Sequence, residues 1–202
     1  MKSKARAVVI GGGVVGVSTL YHLAAKGWDD SILLERKSLT SGSTWHAAGL
    51  LPLFNMSYSV GQIHKYSVRF YQELQDETGM DVGFRKVSNI RLASTQDRMD
   101  EYLQYKGVAD TIGVEVNVLS PQEIKDCWPL VSTENLIGAI QHPEDGYIQP
   151  ADLTQAFAKG ARDKGAKIEI NTNVISIIRS PNDTWIVETD KSHIECEHVI
   201  SC

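Results

Sequence analysis

The sequence has little of what would mark a disulfide-rich, metal-binding or membrane protein. It contains three cysteines, Cys127, Cys196 and Cys202, and no C-x-x-C pair, so neither a disulfide framework nor a zinc site is expected. No apolar run approaches the roughly 20 residues that cross a bilayer. The net charge of −5 provides no general attraction to nucleic acid or to an anionic membrane surface. We therefore expect no metal, no nucleic acid and no membrane among the partners.

The N-terminus lacks the apolar segment of a signal peptide. Met1–Arg6 is basic but runs directly into a strand pattern and a glycine cluster, where a signal peptide would continue with an apolar run and a small-residue cleavage site. Together with the few cysteines, which suit a reducing compartment, this favours a cytoplasmic, prokaryotic setting.

A glycine-rich turn follows the first strand. Ala7–Ile10 is an apolar run typical of a buried parallel strand, and the next helical pattern continues to about Lys26 before a second strand at Ser31–Glu35. The turn matches G-x-G-x-x-G, in which the glycines permit a tight turn, close approach of a pyrophosphate and close packing of helix on sheet. The candidate binding residues of this turn are Gly11, Gly13, Val14, Val15 and Gly16.

An acidic residue at the end of the second strand completes the dinucleotide pattern. Glu35 follows Gly16 by 19 residues, near the spacing of the acid that accepts hydrogen bonds from the adenosine ribose. Its charge disfavours the 2′-phosphate of NADP, but FAD and NAD both fit the glycine turn. The neighbouring Arg36 can stack near the adenine or serve as a surface cation.

The remaining pattern predicts an α/β fold with an insertion. Helical patterns cover 59–78 and 96–112, and Ser120-Pro121-Gln122-Glu123 is a capping box that starts another helix. A parallel α/β pattern returns after Gly146, with the strand 167–171 expected in the sheet of Ala7–Ile10. We expect one FAD-binding lobe from 1–56 and 147–202, incomplete at its C-terminus, with part of a substrate lobe at 57–146. The final residues read as a buried strand, so a fragment of a longer chain is expected.

The segment Leu39-Thr40-Ser41-Gly42-Ser43-Thr44-Trp45-His46-Ala47-Ala48-Gly49-Leu50, called here the flavin segment, resembles the dimethylglycine and sarcosine dehydrogenase family. This family belongs to the D-amino-acid-oxidase-like flavoproteins. Asp145-Gly146-Tyr147-Ile148-Gln149-Pro150 resembles the same family. The resemblance implies a Rossmann-type FAD-binding domain with an inserted α+β segment. It also implies FAD attached covalently to His46, and further cofactor contacts from Ser43, Thr44, Ala48, Gly49, Leu50 and Val174.

The activity implied by the resemblance is oxidation of an N-methyl amino acid such as dimethylglycine or sarcosine. An electron-transfer partner or oxygen would accept the electrons, tetrahydrofolate would be a further cofactor of the full-length protein, and the catalytic residues are expected beyond Cys202. Three alternatives remain: a regulatory subunit of the pyruvate dehydrogenase phosphatase type, another FAD-dependent amine or amino-acid oxidase, and an NAD-dependent dehydrogenase that shares only the opening βαβ unit. The intact flavin segment favours the flavin enzyme.

Overall fold

The computed structural model describes residues 3–202. Met1 and Lys2, with which the basic N-terminal stretch begins, lie outside the described residues. The described chain divides into two compact units. The first contains the chain up to Ala48, Glu73–Gly83 and Gln149–Cys202, and the second contains Gly49–Gln72 and Phe84–Ile148.

The strands along residues 3–202 are, in chain order, β1 (Lys4–Ile10), β2 (Ser31–Leu34), β3 (Leu50–Leu51), β4 (Arg85–Lys86), β5 (Asn89–Ala93), β6 (Asn117–Leu119), β7 (Gly138–His142), β8 (Gly146–Tyr147), β9 (Lys167–Glu169), β10 (Val174–Arg179), β11 (Trp185–Thr189) and β12 (His193–Ser201). The α-helices are α1 (Val14–Ala25), α2 (Tyr58–Thr78), α3 (Gln96–Ile112), α4 (Pro121–Cys127) and α5 (Pro150–Asp163). A 3-10 turn covers Ser43–His46.

The first unit is built on a six-stranded sheet of order β10-β11-β12-β1-β2-β9. The four strands β12, β1, β2 and β9 run parallel, and β10 and β11 continue the sheet from β12 as antiparallel strands. Val8 packs in a cluster with Ile32 and Ile194, while Ala7 and Val9, which alternate with Val8 along the strand, are also fully buried. Both faces of β1 are therefore covered, as is usual for a central parallel strand.

Helices α1 and α5 pack closely in the first unit. A Cβ at Gly160 of α5 would lie 2.7 Å from the ring of Tyr21 in α1, so the absence of a side chain there allows the close approach. The Tyr21 ring also makes an edge contact with Phe157, at 5.5 Å between centroids. This pair of helices fixes α1, whose N-terminus follows the glycine turn.

The second unit contains two three-stranded sheets, of orders β5-β7-β6 and β3-β8-β4. Both are antiparallel. Helix α3 is capped by Thr95 and ends at Gly113, and it contributes Tyr102 and Tyr105 to the core that also includes Leu53 and Ile140. The capping box predicted at Ser120–Glu123 is confirmed at the start of α4.

The unit boundaries differ from the predicted lobes in three places, the smallest being residues 147 and 148, which fall in the second unit. Residues 49–56 fall in the second unit, where Leu53 is buried in the core. Residues 73–83 fall in the first unit, where Glu77 accepts a hydrogen bond of 2.6 Å from the Tyr21 hydroxyl and pairs with Lys164 at 2.6 Å. Helical periodicity predicts α2 correctly but carries no signal that its last turn packs against α1 and α5.

Strand β12 also differs from expectation. The sequence predicts one strand near 192–196 and the start of another, buried, at 198–202. The structure instead has one strand from His193 to Ser201, antiparallel to β11 in its first half and parallel to β1 along most of its length. Its last residues are half-buried or exposed.

Candidate functional site

The glycine turn between β1 and α1 leaves little room for side chains at three positions. Gly11 has φ +112°, a conformation that L side chains rarely adopt, and a Cβ there would also strike the carbonyl of Cys202 at the end of the neighbouring strand. A Cβ at Gly16 would strike the Gly11 carbonyl. At Gly13 the nearest atom to a Cβ would be the Thr44 hydroxyl, at 3.1 Å. The turn is therefore packed against its own backbone and against the flavin segment.

Gly12, which the G-x-G-x-x-G pattern treats as variable, is equally restricted. A Cβ at this position would lie 2.8 Å from Cβ and Cγ of Glu35 and from Cδ2 of Leu39. Its N–H donates a 2.7 Å hydrogen bond to Oε2 of Glu35. The motif spacing assigns no role to Gly12. Only the run of three consecutive glycines in the sequence could have indicated that this position is also restricted.

The Glu35 carboxylate is fixed by backbone donors on both oxygens. Oε2 accepts from Gly12 as above, and Oε1 accepts from the N–H of Lys37 at 2.7 Å. A carboxylate has about four lone-pair positions, so each oxygen keeps capacity for a ribose hydroxyl. The side chain is thus oriented by the protein and retains the acceptors that an adenosine ribose needs.

The flavin segment contacts the N-terminus of α1 through Thr44. The Thr44 hydroxyl, which is buried, accepts a 2.9 Å hydrogen bond from the N–H of Val14, and the N–H of Thr40 donates to the Gly12 carbonyl at 2.9 Å. No acidic residue lies in the first turn of α1, so its free N–H groups and dipole remain available to an anion. These contacts place short polar side chains directly against the end of the helix that the motif predicts to bind phosphate.

A cavity of about 670 Å³ opens at this point. Ten of the predicted binding residues line it: Gly11, Gly13, Val14, Val15, Gly16, Glu35, Arg36, Ser43, Thr44 and Val174. Ten further residues, which were not predicted as binding residues, also line the cavity: Ile10, Gly12, Leu34, Lys37, Ser41, Gly42, Ala47, Thr172, Asn173 and Cys202.

Residues 172–174 line one side of the cavity, and backbone hydrogen bonds hold this stretch of chain next to the end of β2. The N–H of Thr172 donates to the Glu35 carbonyl at 2.8 Å, and the N–H of Asn171 donates to the Lys37 carbonyl at 3.0 Å. These bonds extend the pairing of β2 with β9 past the strand ends. They join positions more than 130 residues apart, so the sequence pattern could suggest Val174 only through the family resemblance.

Four predicted binding residues are not among the described residues that line the cavity. His46 ends the 3-10 turn and is exposed, with its ring centroid 4.0 Å from that of Trp45. Ala48 is also exposed. Gly49 and Leu50 belong to the second unit, because the Gly49 carbonyl accepts from Ile148 and Leu50 pairs with Tyr147.

The described residues contain neither a cluster of metal ligands nor a membrane-spanning helix. Within residues 3–202 there is no group of three or more His, Cys, Asp or Glu side chains that could hold a metal ion. In the same range no helix is both long and apolar enough to cross a membrane.

Comparison with known proteins separates the cofactor possibilities that the glycine turn leaves open. Residues 6–202 match the DAO family, described as FAD dependent oxidoreductase. The chain belongs to this family. The match covers nearly the whole chain, so the NAD-dependent alternative, which shared only the opening βαβ unit, no longer applies. Among solved structures, L-proline dehydrogenase from P. horikoshii superposes with a TM-score of 0.92 at 27% identity, covering all of this chain and 53% of that one. The predicted Rossmann-type FAD-binding fold is confirmed.

The similar curated proteins are much longer than this chain. Mitochondrial dimethylglycine dehydrogenase of Rattus norvegicus is 38% identical over 200 residues, which is 99% of this chain and 23% of the relative. The formaldehyde-forming 4-methylaminobutanoate oxidase of Paenarthrobacter nicotinovorans is 38% identical over 96% of this chain and 24% of its own length. The mitochondrial pyruvate dehydrogenase phosphatase regulatory subunit of Mus musculus is 34% identical over 100% of this chain and 23% of its own. The chain therefore spans about a quarter of the length of these relatives.

The expectation of a prokaryotic, cytoplasmic setting is wrong. The rat and mouse relatives matched over essentially the whole chain are mitochondrial proteins. The composition of the chain and its few cysteines suit any reducing compartment, so they could not support the narrower assignment.

Proposed function

We propose that this chain is the FAD-binding part of an oxidoreductase that acts on the CH–NH group of an N-methylated amino acid. The observation that carries the proposal is the contact between the flavin segment and the glycine turn, made by Thr44 and Val14. Family membership supports FAD as the cofactor, and the names of the dimethylglycine and 4-methylaminobutanoate relatives support a small methylated amine as the substrate.

The residues around the cavity fit the adenosine and pyrophosphate parts of FAD. The N–H groups at the start of α1, with no acidic side chain in its first turn, would hold the pyrophosphate. The fixed carboxylate of Glu35 would accept the ribose hydroxyls, and Val174 would border the adenine. Arg36 lines the cavity and is exposed, so it can stay solvated while stacking near the adenine. Bound FAD would supply the acceptor for the hydride removed from the substrate.

We further propose His46 as the point of covalent attachment. Thr44, two residues earlier, is buried and hydrogen-bonded to α1, whereas His46 at the end of the same turn is exposed. The turn thus presents an accessible imidazole from an anchored backbone. The ring of Trp45 lies beside it and restricts the directions in which the imidazole can point.

The wider activity of the full-length protein belongs to the same proposal. Its substrate would be dimethylglycine, sarcosine or a similar methylated amino acid, and the electrons would pass to a partner protein or to oxygen. Tetrahydrofolate would accept the one-carbon unit. The residues that contact substrate are not assigned within this chain.

The test is to locate the flavin in the full-length protein. After acid precipitation we expect the flavin to remain with the polypeptide and to map to the tryptic peptide 38–65. Because this peptide contains both His46 and His64, fragment ions must separate the two. His46→Asn should release the flavin on precipitation, whereas His193→Asn, at an exposed histidine in β12, should not. Flavin found wholly in the supernatant, or on another residue, contradicts the assignment of His46.

A regulatory role without oxidation is the second candidate. It is supported by the 34% identity to the phosphatase regulatory subunit of Mus musculus over the whole chain. Bound flavin that is reduced by a methylated amine favours the oxidoreductase, whereas flavin that no amine reduces, or no bound flavin, favours the regulatory role.

A further inference from the structure

The residues that directly follow the flavin segment are held by buried polar groups of the second unit. Leu53 is bound on both sides of its backbone: its N–H donates to Oδ1 of Asp145 at 2.8 Å, and its carbonyl accepts from the Tyr105 hydroxyl at 3.2 Å. The guanidinium of Arg91 lies over the next side chain, Phe54, 4.2 Å from the ring centroid. Two consecutive residues, Leu53 and Phe54, are therefore held in place by three side chains. We call these side chains, of Asp145, Arg91 and Tyr105, the buried clamp.

The same stretch is also tied by backbone pairing to the residues around Asp145. Leu51 pairs with Gly146, and the Gly49 carbonyl accepts a 2.8 Å hydrogen bond from Ile148. The carbonyl of Asp145 accepts from the N–H groups of Val87 and Ser88, at 3.2 and 2.9 Å. Asp145 thus connects the chain after the flavin segment, through Leu53, to Val87 and Ser88, which lie between β4 and β5.

This anchorage restricts His46 because the intervening chain is short. Only two residues, Ala47 and Ala48, lie between His46 and Gly49, and each of the three Cα–Cα steps in an extended chain spans at most about 3.5 Å. The His46 Cα must therefore remain within roughly 10 Å of Gly49. On its other side, Thr44 is hydrogen-bonded to the N-terminus of α1.

The buried clamp includes and contacts polar atoms that are buried without hydrogen-bond partners in the part of the chain that the structure describes, and this lowers the stability of the fold. Asp145 Oδ2 and Arg91 Nε are buried without a hydrogen-bond partner among the described residues, and so is Nδ1 of His142, whose Nε2 contacts the Tyr105 hydroxyl at 3.1 Å. Buried polar atoms without partners destabilise a fold, and a neutral side chain could accept from Leu53 without burying a charge. Burial raises the pKa of the Asp145 carboxyl to about 6, although the Leu53 N–H and the charge of Arg91 oppose the shift.

We propose that Asp145 is a positioning residue for His46, acting through the buried clamp on the chain that follows the flavin segment. The inference rests on the proposed attachment of flavin to His46. It assigns a role to the motif that begins at Asp145, which the cavity itself does not use: Asp145 is not among the residues that line it.

The test compares four forms of the full-length protein: wild type, Asp145→Ala, Asp145→Asn, and Glu144→Gln as a matched control. Glu144 is the preceding acid, exposed and paired with Lys86. Two quantities are measured for each: amide hydrogen exchange over residues 49–54, and the fraction of bound flavin that stays on the polypeptide after acid precipitation.

We expect Asp145→Ala to exchange the Leu53 amide at least about fivefold faster, because a buried N–H loses its acceptor. Its covalent fraction of flavin should fall about fivefold while total bound flavin stays near the wild-type level, since the glycine turn is unaltered. Asp145→Asn retains an acceptor oxygen and should restore most of both properties, and Glu144→Gln should match wild type. If Asp145→Ala does not fold, Tyr105→Phe removes only the other bond to Leu53 and should change both quantities in the same direction.

The outcomes separate this inference from the proposed function. A wild-type protein with no flavin on His46 contradicts the proposed function. A wild-type protein with flavin on His46, and an Asp145→Ala or Tyr105→Phe variant with the same covalent fraction, overturns the positioning role of Asp145. A parallel loss of covalent and total flavin also overturns it, because that result indicates general destabilisation.

Discussion

Asp145 and His142 should impose opposite pH dependences on the stability of the second unit. The pKa of Asp145 rises from 3.8 to about 6, because burial penalises its charged form more than Leu53, Arg91 and His64 favour it. The pKa of His142 falls from 6.5 to about 4, because of burial and the positive charge of Arg91. Both side chains are essentially inaccessible to solvent.

The sign follows from the protons bound in each state. Between pH 3.8 and about 6, Asp145 binds more protons in the folded than in the unfolded state, so its contribution to stability is lost as pH rises through this window. Between about pH 4 and 6.5, His142 binds fewer protons in the folded state, so its contribution increases as pH rises. Each pKa unit corresponds to about 1.4 kcal/mol, and each residue therefore accounts for a change of ~3 kcal/mol. In the wild-type protein the two nearly offset each other.

Replacing one residue should expose the pH dependence of the other. We expect the free energy of opening around Leu53 to rise by ~3 kcal/mol between pH 4 and 6.5 in Asp145→Asn, and to fall by a similar amount between pH 4 and 6 in His142→Gln. Wild type should change by less than ~1 kcal/mol. Hydrogen exchange of the Leu53 and Ser88 amides, corrected for the intrinsic effect of pH, measures this locally. The slope is informative even where the replacement lowers stability at every pH. Identical slopes in the two variants and wild type would refute the reasoning.

Two further predictions concern the glycine turn. Gly12→Ala should destabilise the first unit by ~1–3 kcal/mol through overpacking and lower flavin content, whereas Gly107→Ala, in α3 away from the cavity and with open space around its Cβ, should not; equal flavin content in the two variants contradicts the packing at Gly12. Glu35→Ala, tested in a His46→Asn background so that a covalent link cannot mask weaker binding, should raise the Kd for FAD roughly 10- to 100-fold by removing a charge-assisted acceptor. An unchanged Kd measured by flavin fluorescence titration removes Glu35 from the site.

Local patterns predicted the parts of this fold that depend on neighbouring residues. The glycine turn, the helix start at Ser120 and the helix at 96–112 all follow from caps, periodicity and backbone preferences within a few positions. The same reasoning missed β3 and β6, which are short and are defined by partners far along the chain. It also divided β12 in two, because a strand that pairs antiparallel on one side and parallel on the other has no single burial pattern.

In the candidate site too, the features set by neighbouring residues were predictable from the sequence, and those set by distant residues were not. The spacing of Gly11, Gly13, Gly16 and Glu35 predicted a binding cavity at this turn, and these four residues do line one, because their placement depends on backbone geometry near a single turn. Thr172 and Asn173 line the cavity only because backbone bonds carry the chain past the end of β2. The buried clamp was not predictable from spacing, since an aspartate, an arginine and a tyrosine on three different elements have no common period. Its signal lies in burial, which a sequence shows only indirectly.

Two roles are open to the Glu35 carboxylate: binding the ribose, as the motif predicts, and holding the glycine turn in place. The motif assigns its carboxylate to the ligand, yet in the structure both oxygens already bind the protein, at the N–H groups of Gly12 and Lys37. Loss of FAD from Glu35→Ala would therefore combine a lost ribose contact with a loosened glycine turn. Glu35→Gln separates the two, because its one carbonyl oxygen can satisfy one backbone donor while its NH₂ group cannot satisfy the other. If the acid serves mainly the turn, Gln should weaken binding nearly as much as Ala and should speed amide exchange at Gly12 or Lys37. If it serves mainly the ribose, exchange at both amides should stay near wild type while the affinity for FAD still falls.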